Sequence, residues 1–315
     1  MNPTPTETLS TDTELLPTHF STASGKQVTV AKHSGFCHGV EKAVNKTVTT
    51  FEQSEQATYV LGQLIHNQQE IDRLTAMGIT TVERLEDVPD GATCVIRTHG
   101  APPETIRAAE ARGIHVSDAT CPDVRLVQNK AIELVKEGYT VVIVGKANHP
   151  EVIGIQAYAQ EALGEGKTAN VVAINTVAAI AESLKGLPRR KIGVVSQTTQ
   201  LEENFFEMVK HLTMHCKELK VHNTICPATF FRQHAADELS KTVDVMVVVG
   251  GKNSSNTTHL KELCAINGTE AIHVETEAEL VGWSPLATAR HIGVTAGAST
   301  PEWTVQGVLR YLHGL

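Results

Sequence analysis

Short runs of β-branched residues alternate along this chain with longer segments whose apolar positions recur at helical spacing. The runs 27–31, 59–61, 93–97, 114–117, 140–144, 169–174, 192–196, 219–222, 243–249, 270–274 and 291–295 read as strands. Two of them carry the uninterrupted β-branched stretches Val142-Ile143-Val144 and Val247-Val248-Val249, as strands buried on both faces of a parallel sheet do. Helices are predicted over 40–51, 70–77, 102–112, 124–137, 177–184, 202–216, 229–242, 257–267 and 302–312, with Gly78, Gly113 and Gly138 as stops. The segment 161–167 is a glycine-containing loop and 277–286 joins two strands. Strand and helix in alternation indicate an α/β fold.

The alternation is a repeat. A cysteine held between a polar turn and a proline occurs in Asp118-Ala119-Thr120-Cys121-Pro122 and returns 105 residues later in Asn223-Thr224-Ile225-Cys226-Pro227. The same offset carries Val142-Ile143-Val144-Gly145 onto Val247-Val248-Val249-Gly250. A more diverged copy comes earlier: Gly62 and His66 stand 83 residues before Gly145 and His149, and Cys37 stands 84 before Cys121. Each copy has a further strand ending in polar groups, at Thr98-His99-Gly100, Gln197-Thr198-Thr199 and Ala298-Ser299. One pattern at a fixed period predicts three α/β units, 38–121, 122–226 and 227–315. The strand within 27–37 precedes the first cysteine and is expected to complete the sheet of the third unit.

Composition narrows the class. The chain has 315 residues, 41% of them hydrophobic, and a net charge of −8, which argues against general nucleic-acid binding. Its longest apolar runs are of strand length, too short for a bilayer. Six cysteines without a dense framework fit a reducing cytoplasm. Residues 1–26 are rich in Thr, Pro, Ser and Glu and lack an apolar signal region, so a disordered leader is expected, with order beginning at Gln27.

Loops at the carboxyl ends of parallel strands are where such sheets bind ligands. A threefold arrangement would bring Cys37, Cys121 and Cys226 to one centre. Three thiolates there suit zinc with an outside ligand, or a cubane iron–sulfur cluster with one iron open to a substrate. Distances of 84 and 105 residues between the thiols favour the cluster over a zinc knuckle. Around them the loops offer His66, His99, His149, Ser254, Ser255, Asn256 and Ser299, a set suited to an anion with many oxygens such as a diphosphate. Glu151 is the carboxylate expected beside that set, delivering protons with the help of Thr198. It also follows Pro150 as a helix N-terminal acid would, and Ser254-Ser255-Asn256 also reads as a helix cap. Lys252 reads as a solvated loop lysine, and Cys94, Cys216 and Cys264 as packing residues.

Gly35-Phe36-Cys37, Ile65-His66-Asn67, Thr98-His99-Gly100, Asp118-Ala119-Thr120-Cys121-Pro122, His149-Pro150-Glu151, Gln197-Thr198-Thr199, Lys252-Asn253-Ser254-Ser255-Asn256 and Thr295-Ala296-Gly297-Ala298-Ser299 together resemble the 4-hydroxy-3-methylbut-2-enyl diphosphate reductase family. The likeness runs from about Val28 to Leu312. It implies a trefoil-like α/β fold, three pseudo-threefold-related units each with a small, mostly parallel sheet, around a [4Fe–4S] cluster on Cys37, Cys121 and Cys226. It further implies a diphosphate pocket of His66, His99, His149, Ser254, Ser255, Asn256 and Ser299, with Glu151 and Thr198 at the substrate's allylic hydroxyl. The implied reaction is reductive dehydroxylation of 4-hydroxy-3-methylbut-2-enyl diphosphate to isopentenyl and dimethylallyl diphosphates, with ferredoxin or flavodoxin as electron donor. A hydro-lyase using the open iron without net reduction, and a binding module with structural zinc, compete on the residues alone.

Overall fold

The β-branched runs assemble into three sheets in a computed structural model that describes residues 15–315. The first sheet orders its strands Thr80–Val82, Thr58–Leu61, Thr93–Ile96 and His115–Asp118, all parallel. The second orders Val171–Ile174, Thr140–Val144, Lys191–Ser196 and Glu218–Val221, again all parallel. The third orders Glu270–Val274, Val245–Val249, His291–Ala296 and Gln27–Val30 in parallel, with His19–Ser21 added antiparallel at the edge.

The three orders are the same when read from the edge. In each sheet the last parallel strand of the series runs into a cysteine: Gln27–Val30 toward Cys37, His115–Asp118 toward Cys121 and Glu218–Val221 toward Cys226. Gln27–Val30 lies beside His291–Ala296, so the strand that precedes Cys37 sits in the third sheet. Central strands such as Thr140–Val144 and Val245–Val249 are buried along their whole length, which is why valine and isoleucine fill all but Thr140 and Met246. Each fully buried Val or Ile there contributes roughly 1.5–3 kcal/mol.

A helix follows each cysteine. His38–Gln53 buries Val40, Ala43, Val44 and Thr47, one stripe at helical spacing. Pro122–Lys136 does the same with Val124, Val127, Ala131 and Leu134. Pro227–Ser240 is different, because its buried face is Thr229, Arg232, Gln233, Ala236 and Ser240. Proline at the first turn of the latter two helices removes an N–H that would have no partner there.

Several expectations are corrected. Only residues 1–14 of the expected leader lie outside the described residues. From there on the segment is ordered: His19–Ser21 pairs with Gln27–Val30, Thr22 is buried, and the Leu16 N–H donates to Gln306 Oε1 at 3.0 Å. The edge strand and these bonds supply partners that its polar composition hides. Pro150–Glu161 is a helix where sequence patterning gave none, its period hidden by Gly154 and by apolar residues on most faces. Thr80–Val82 is a short strand that its threonines concealed. The segments 177–184 and 277–286 break into short helical turns, Val177–Ala179 with Ile180–Ser183, and Glu277–Leu280 with Pro285–Thr288. No described helix is long and apolar enough to cross a membrane.

Candidate active site

The carboxyl-end loops of all three sheets meet at one pocket. It is lined by Cys37, Cys121 and Cys226, by His66, His99 and His149, by Glu151 and Thr198, and by Ser254, Ser255, Asn256 and Ser299. Every residue expected at the site from the sequence therefore lines this one pocket. The cavity measures about 80 Å³, against the roughly 10–15 Å³ that one water requires.

The three thiols converge at helix N-termini. Cys37 caps His38–Gln53, its Sγ accepting from the Val40 N–H at 3.4 Å. Cys226 Sγ accepts from the Thr229 N–H at 3.4 Å and lies 3.1 Å from Thr229 Oγ1. Cys121 stands at the N-cap of Pro122–Lys136 and makes no side-chain capping bond there. A Cβ added at Gly39 would lie 2.6 Å from Cys121 Sγ and 3.9 Å from Cys37 Sγ, so two sulfurs from different helix N-termini share the space that glycine leaves. None of the three is in a disulfide.

Burial pushes the Cys121 thiol up to about 11 and the Cys226 thiol up to about 12, against the helix N–H groups that favour the thiolate. Three close thiolates would repel one another here unless a cationic group lay between them. A metal centre removes that cost by binding the deprotonated sulfurs. The donor set thus fits an iron–sulfur cluster held by three cysteines.

The opposite wall is imidazole, hydroxyl and amide. The rings of His66 and His99 are 4.5 Å apart between centroids, and His149 is 5.7 and 5.4 Å from them. One nitrogen from each falls within 4.8 Å of the others. Burial, aided by the charge of Arg97 and by the rings themselves, pushes His66 down to about 4, His149 to about 3 and His99 well below its ordinary value. His66 Nε2, His99 Nδ1 and both amide atoms of Asn256 are buried without partners. Ser254 caps the helix Ser255–Ile266 by accepting from the Thr257 N–H, which leaves that helix N-terminus beside the pocket. Three imidazoles this close could also ligate a metal ion, but the idle Asn256 NH2 and the helix N-terminus are donors, which an anion uses and a cation does not.

Glu151 lies between the two walls. His149 caps the helix Pro150–Glu161 by accepting from the Glu151 N–H, so the acid is both a first-turn residue and a pocket residue. Its carboxylate accepts from the Thr198 N–H at 2.6 Å and the Thr198 hydroxyl at 2.8 Å. Burial outweighs those bonds and, with the charge of Asp123, pushes Glu151 up to about 7.

Sequence reasoning named Glu151 as the one acid here, and that is corrected: Asp123 also lines the pocket, in the first turn after Cys121-Pro122. Thr98, Thr199 and Thr229 line it as well. The Thr199 position was legible as the neighbour of Thr198, whereas Asp123 and Thr229 could be found only from the helix turn that follows each cysteine. Lys252 is an exposed loop lysine, as expected, whose Nζ also pairs with Glu279 at 2.8 Å and donates to the His273 carbonyl. Cys94 and Cys264 are fully buried in packing, and Cys216 is half-buried.

A family model described as LytB protein matches residues 28–313. The chain belongs to the LytB protein family. Among curated relatives, a 4-hydroxy-3-methylbut-2-enyl diphosphate reductase of Aquifex aeolicus (strain VF5) is 41% identical over 282 residues, 89% of this chain and 94% of that one. The same enzyme of Anaeromyxobacter sp. (strain K) is 41% identical over 91% of this chain and 99% of its own. A solved structure of (E)-4-hydroxy-3-methyl-but-2-enyl diphosphate reductase, titled the terminal enzyme of the non-mevalonate pathway, is 39% identical with a TM-score of 0.67, covering 91% of this chain and 99% of that one. The E-1-hydroxy-2-methyl-but-2-enyl-4-diphosphate reductase of Plasmodium falciparum gives 27% identity and a TM-score of 0.82 over 90% of this chain and 87% of its own. The trefoil-like family fold, three small and mostly parallel sheets, is the fold found here.

Proposed function

We propose that this chain carries the activity of these relatives, the terminal reductase step of the non-mevalonate pathway. It takes 4-hydroxy-3-methylbut-2-enyl diphosphate, two electrons and two protons to isopentenyl or dimethylallyl diphosphate and water. The observation that supports this most is the meeting of three thiols and an idle polar wall across one small pocket. Cys37, Cys121 and Cys226 would hold a [4Fe–4S] cluster, which when bound supplies the electrons and a Lewis-acidic iron.

The chain's own residues do the rest. His66, His99, His149, Ser254, Ser255, Asn256 and Ser299 bind the diphosphate and fix the substrate's reach toward the sulfurs. Thr198 holds the Glu151 carboxyl by two hydrogen bonds so that it faces the allylic hydroxyl. With its acidity near 7, Glu151 holds its proton in a large share of molecules at neutral pH and can deliver it to the departing hydroxyl as water forms. Burial of the pocket keeps bulk water from that proton.

An external carrier, ferredoxin or flavodoxin, is the proposed source of electrons, and the cytoplasm the proposed compartment. The proposed units are 38–121, 122–226 and 227–315, each entered from its cysteine, with 27–37 belonging to the third.

The test is anaerobic purification with iron and sulfide analysis, followed by turnover of 4-hydroxy-3-methylbut-2-enyl diphosphate with a chemical reductant. A brown protein that forms both products only when reductant is present is expected. Product without reductant would identify a hydro-lyase, and a colourless zinc protein would leave only a binding module.

A further inference from the structure

The helix that begins at Cys226 turns a polar face inward, and its centre is Arg232. The side chain is 4% exposed. Its Nη1 donates to the Ala228 carbonyl at 2.9 Å, in the first turn after Cys226. Its Nη2 donates to the Gly35 carbonyl at 2.6 Å, two residues before Cys37. Nε is buried without a partner. Both acceptors flank a cysteine, and no described carboxylate pairs with the guanidinium. A buried cation with no carboxylate is costly unless another anion compensates it.

The loop it grips needs holding. His33 has a positive φ of 62° and Gly35 one of 91°, and a non-glycine residue in that region is strained. The His33 ring stacks on Phe231, the residue before Arg232, with centroids 5.3 Å apart. The far end of the loop is tied by the Cys37 N–H to the Ala298 carbonyl at 3.1 Å. Phe231 and Arg232 are therefore what the Cys226 helix offers to the loop that carries Cys37.

We propose that Arg232 is a positioning residue for the sulfur centre, latching the Cys37 loop onto the Cys226 helix and setting a fixed positive charge against both sulfurs, so that the cluster is easier to reduce. This rests on the cluster reading above. Each added electron deepens the negative charge of a thiolate-bound cluster, and net charge and nearby donors set such potentials. A cation sealed from water stabilises the reduced form more than the oxidised one.

The experiment compares wild type, Arg232→Lys and Arg232→Gln, each reconstituted anaerobically. Three quantities are read: iron per chain, the midpoint potential by spectroscopically monitored redox titration, and amide hydrogen exchange of residues 31–37 in the iron-free chain. Arg232→Gln is expected to exchange faster over 31–37 and to have a more negative potential. Arg232→Lys is expected to exchange faster but to keep a potential near wild type, because it retains charge and loses the fork. A merely structural arginine would leave the potential of any iron-loaded variant unchanged, and that outcome overturns the charge role. Unchanged exchange in both variants overturns the latch. Should Arg232→Gln fail to fold, a Lys variant with a potential well below wild type overturns the charge role by itself. A wild type that takes up no iron defeats the cluster reading, while the exchange comparison still decides the latch.

Discussion

The two walls of the pocket are held by opposite means. On the sulfur side each cysteine stands at a helix N-terminus, and Cys37 and Cys226 each accept a backbone N–H at 3.4 Å. The geometry of the repeat has already positioned those atoms. On the imidazole and amide side, His66 Nε2, His99 Nδ1 and the Asn256 amide have no partner. Each such buried polar group costs about 1–3 kcal/mol while it is idle. The sulfur side is thus held by the protein itself, through helix N-termini and the side chains of Thr229 and Arg232, and the other side is completed by what binds to it. Glu151, tied to Thr198 by two bonds, belongs to the first kind in its geometry and to the second in its protonation.

The sharpest way to break this contrast is on the sulfur side. Cys121→Ser removes one of three donors, and iron per chain and turnover should both fall to background. Loss of a ligand should cost no less than loss of a residue that merely orients one, which is itself about 10–100-fold. Cys264→Ser is the control: it is fully buried in packing away from the pocket, and should leave iron content unchanged while lowering stability by about 1 kcal/mol. Equal iron in the two variants would mean that convergence of the thiols has no bearing on metal.

Glu151→Gln tests the junction. It keeps the shape and an acceptor for the Thr198 N–H, and it removes the proton. Turnover should fall by about 10²–10⁴ with iron content and KM held. The pH dependence has a definite sign. Glu151 is raised in the folded chain to about 7 from 4.5, so the folded state keeps a proton that the unfolded state releases across that window. Stability is therefore lost as pH rises from about 4.5 to 7, by an amount on the order of 3 kcal/mol. Glu151→Gln should accordingly raise the thermal midpoint at pH 8 and leave it little changed at pH 4, and wild-type turnover should decline above pH 7 as the acid ionises. A variant with normal turnover, or one with the same midpoint shift at both pH values, would separate Glu151 from the proton.

What could be read from the sequence follows the same division. The sulfurs were legible because a backbone repeat copies itself at 105 residues and takes Cys-Pro with it, so one motif located the others. The histidines and Ser254-Ser255-Asn256 were legible because they occupy equivalent loops of that repeat. Asp123 and Arg232 were not, since each depends on which way a helix turns after its cysteine: Asp123 into the pocket, Arg232 inward toward Gly35. The Pro150–Glu161 helix was hidden for a related reason, being packed between other elements with no polar stripe to give it a period. His19–Ser21 was missed because edge pairing rewards main chain, and main-chain hydrogen bonds leave little trace in composition.

The smallest effect, and the one that bears most directly on the second wall, is proton uptake. His66, His149 and His99 are held down by burial and by Arg97, so at pH 7 the wall is neutral. Without ligand this makes the folded chain lose stability as pH falls from 6.5 toward 4, because the unfolded chain takes up protons that the buried rings refuse. An anion seated among the rings reverses the balance, since its charge favours the imidazolium. Binding of inorganic diphosphate to the iron-free chain should then take up a fraction of a proton, and its affinity should rise by about two- to tenfold per unit as pH falls from 8 to 6. Calorimetric titration in two buffers of different ionisation enthalpy measures the uptake. His99→Asn, which keeps a polar side chain but cannot protonate, separates the part due to the rings from the part due to diphosphate itself. Uptake that is equal in wild type and variant would make the imidazoles neutral donors throughout. The wall would then bind by hydrogen-bond geometry alone, as fixed in its way as the sulfurs opposite.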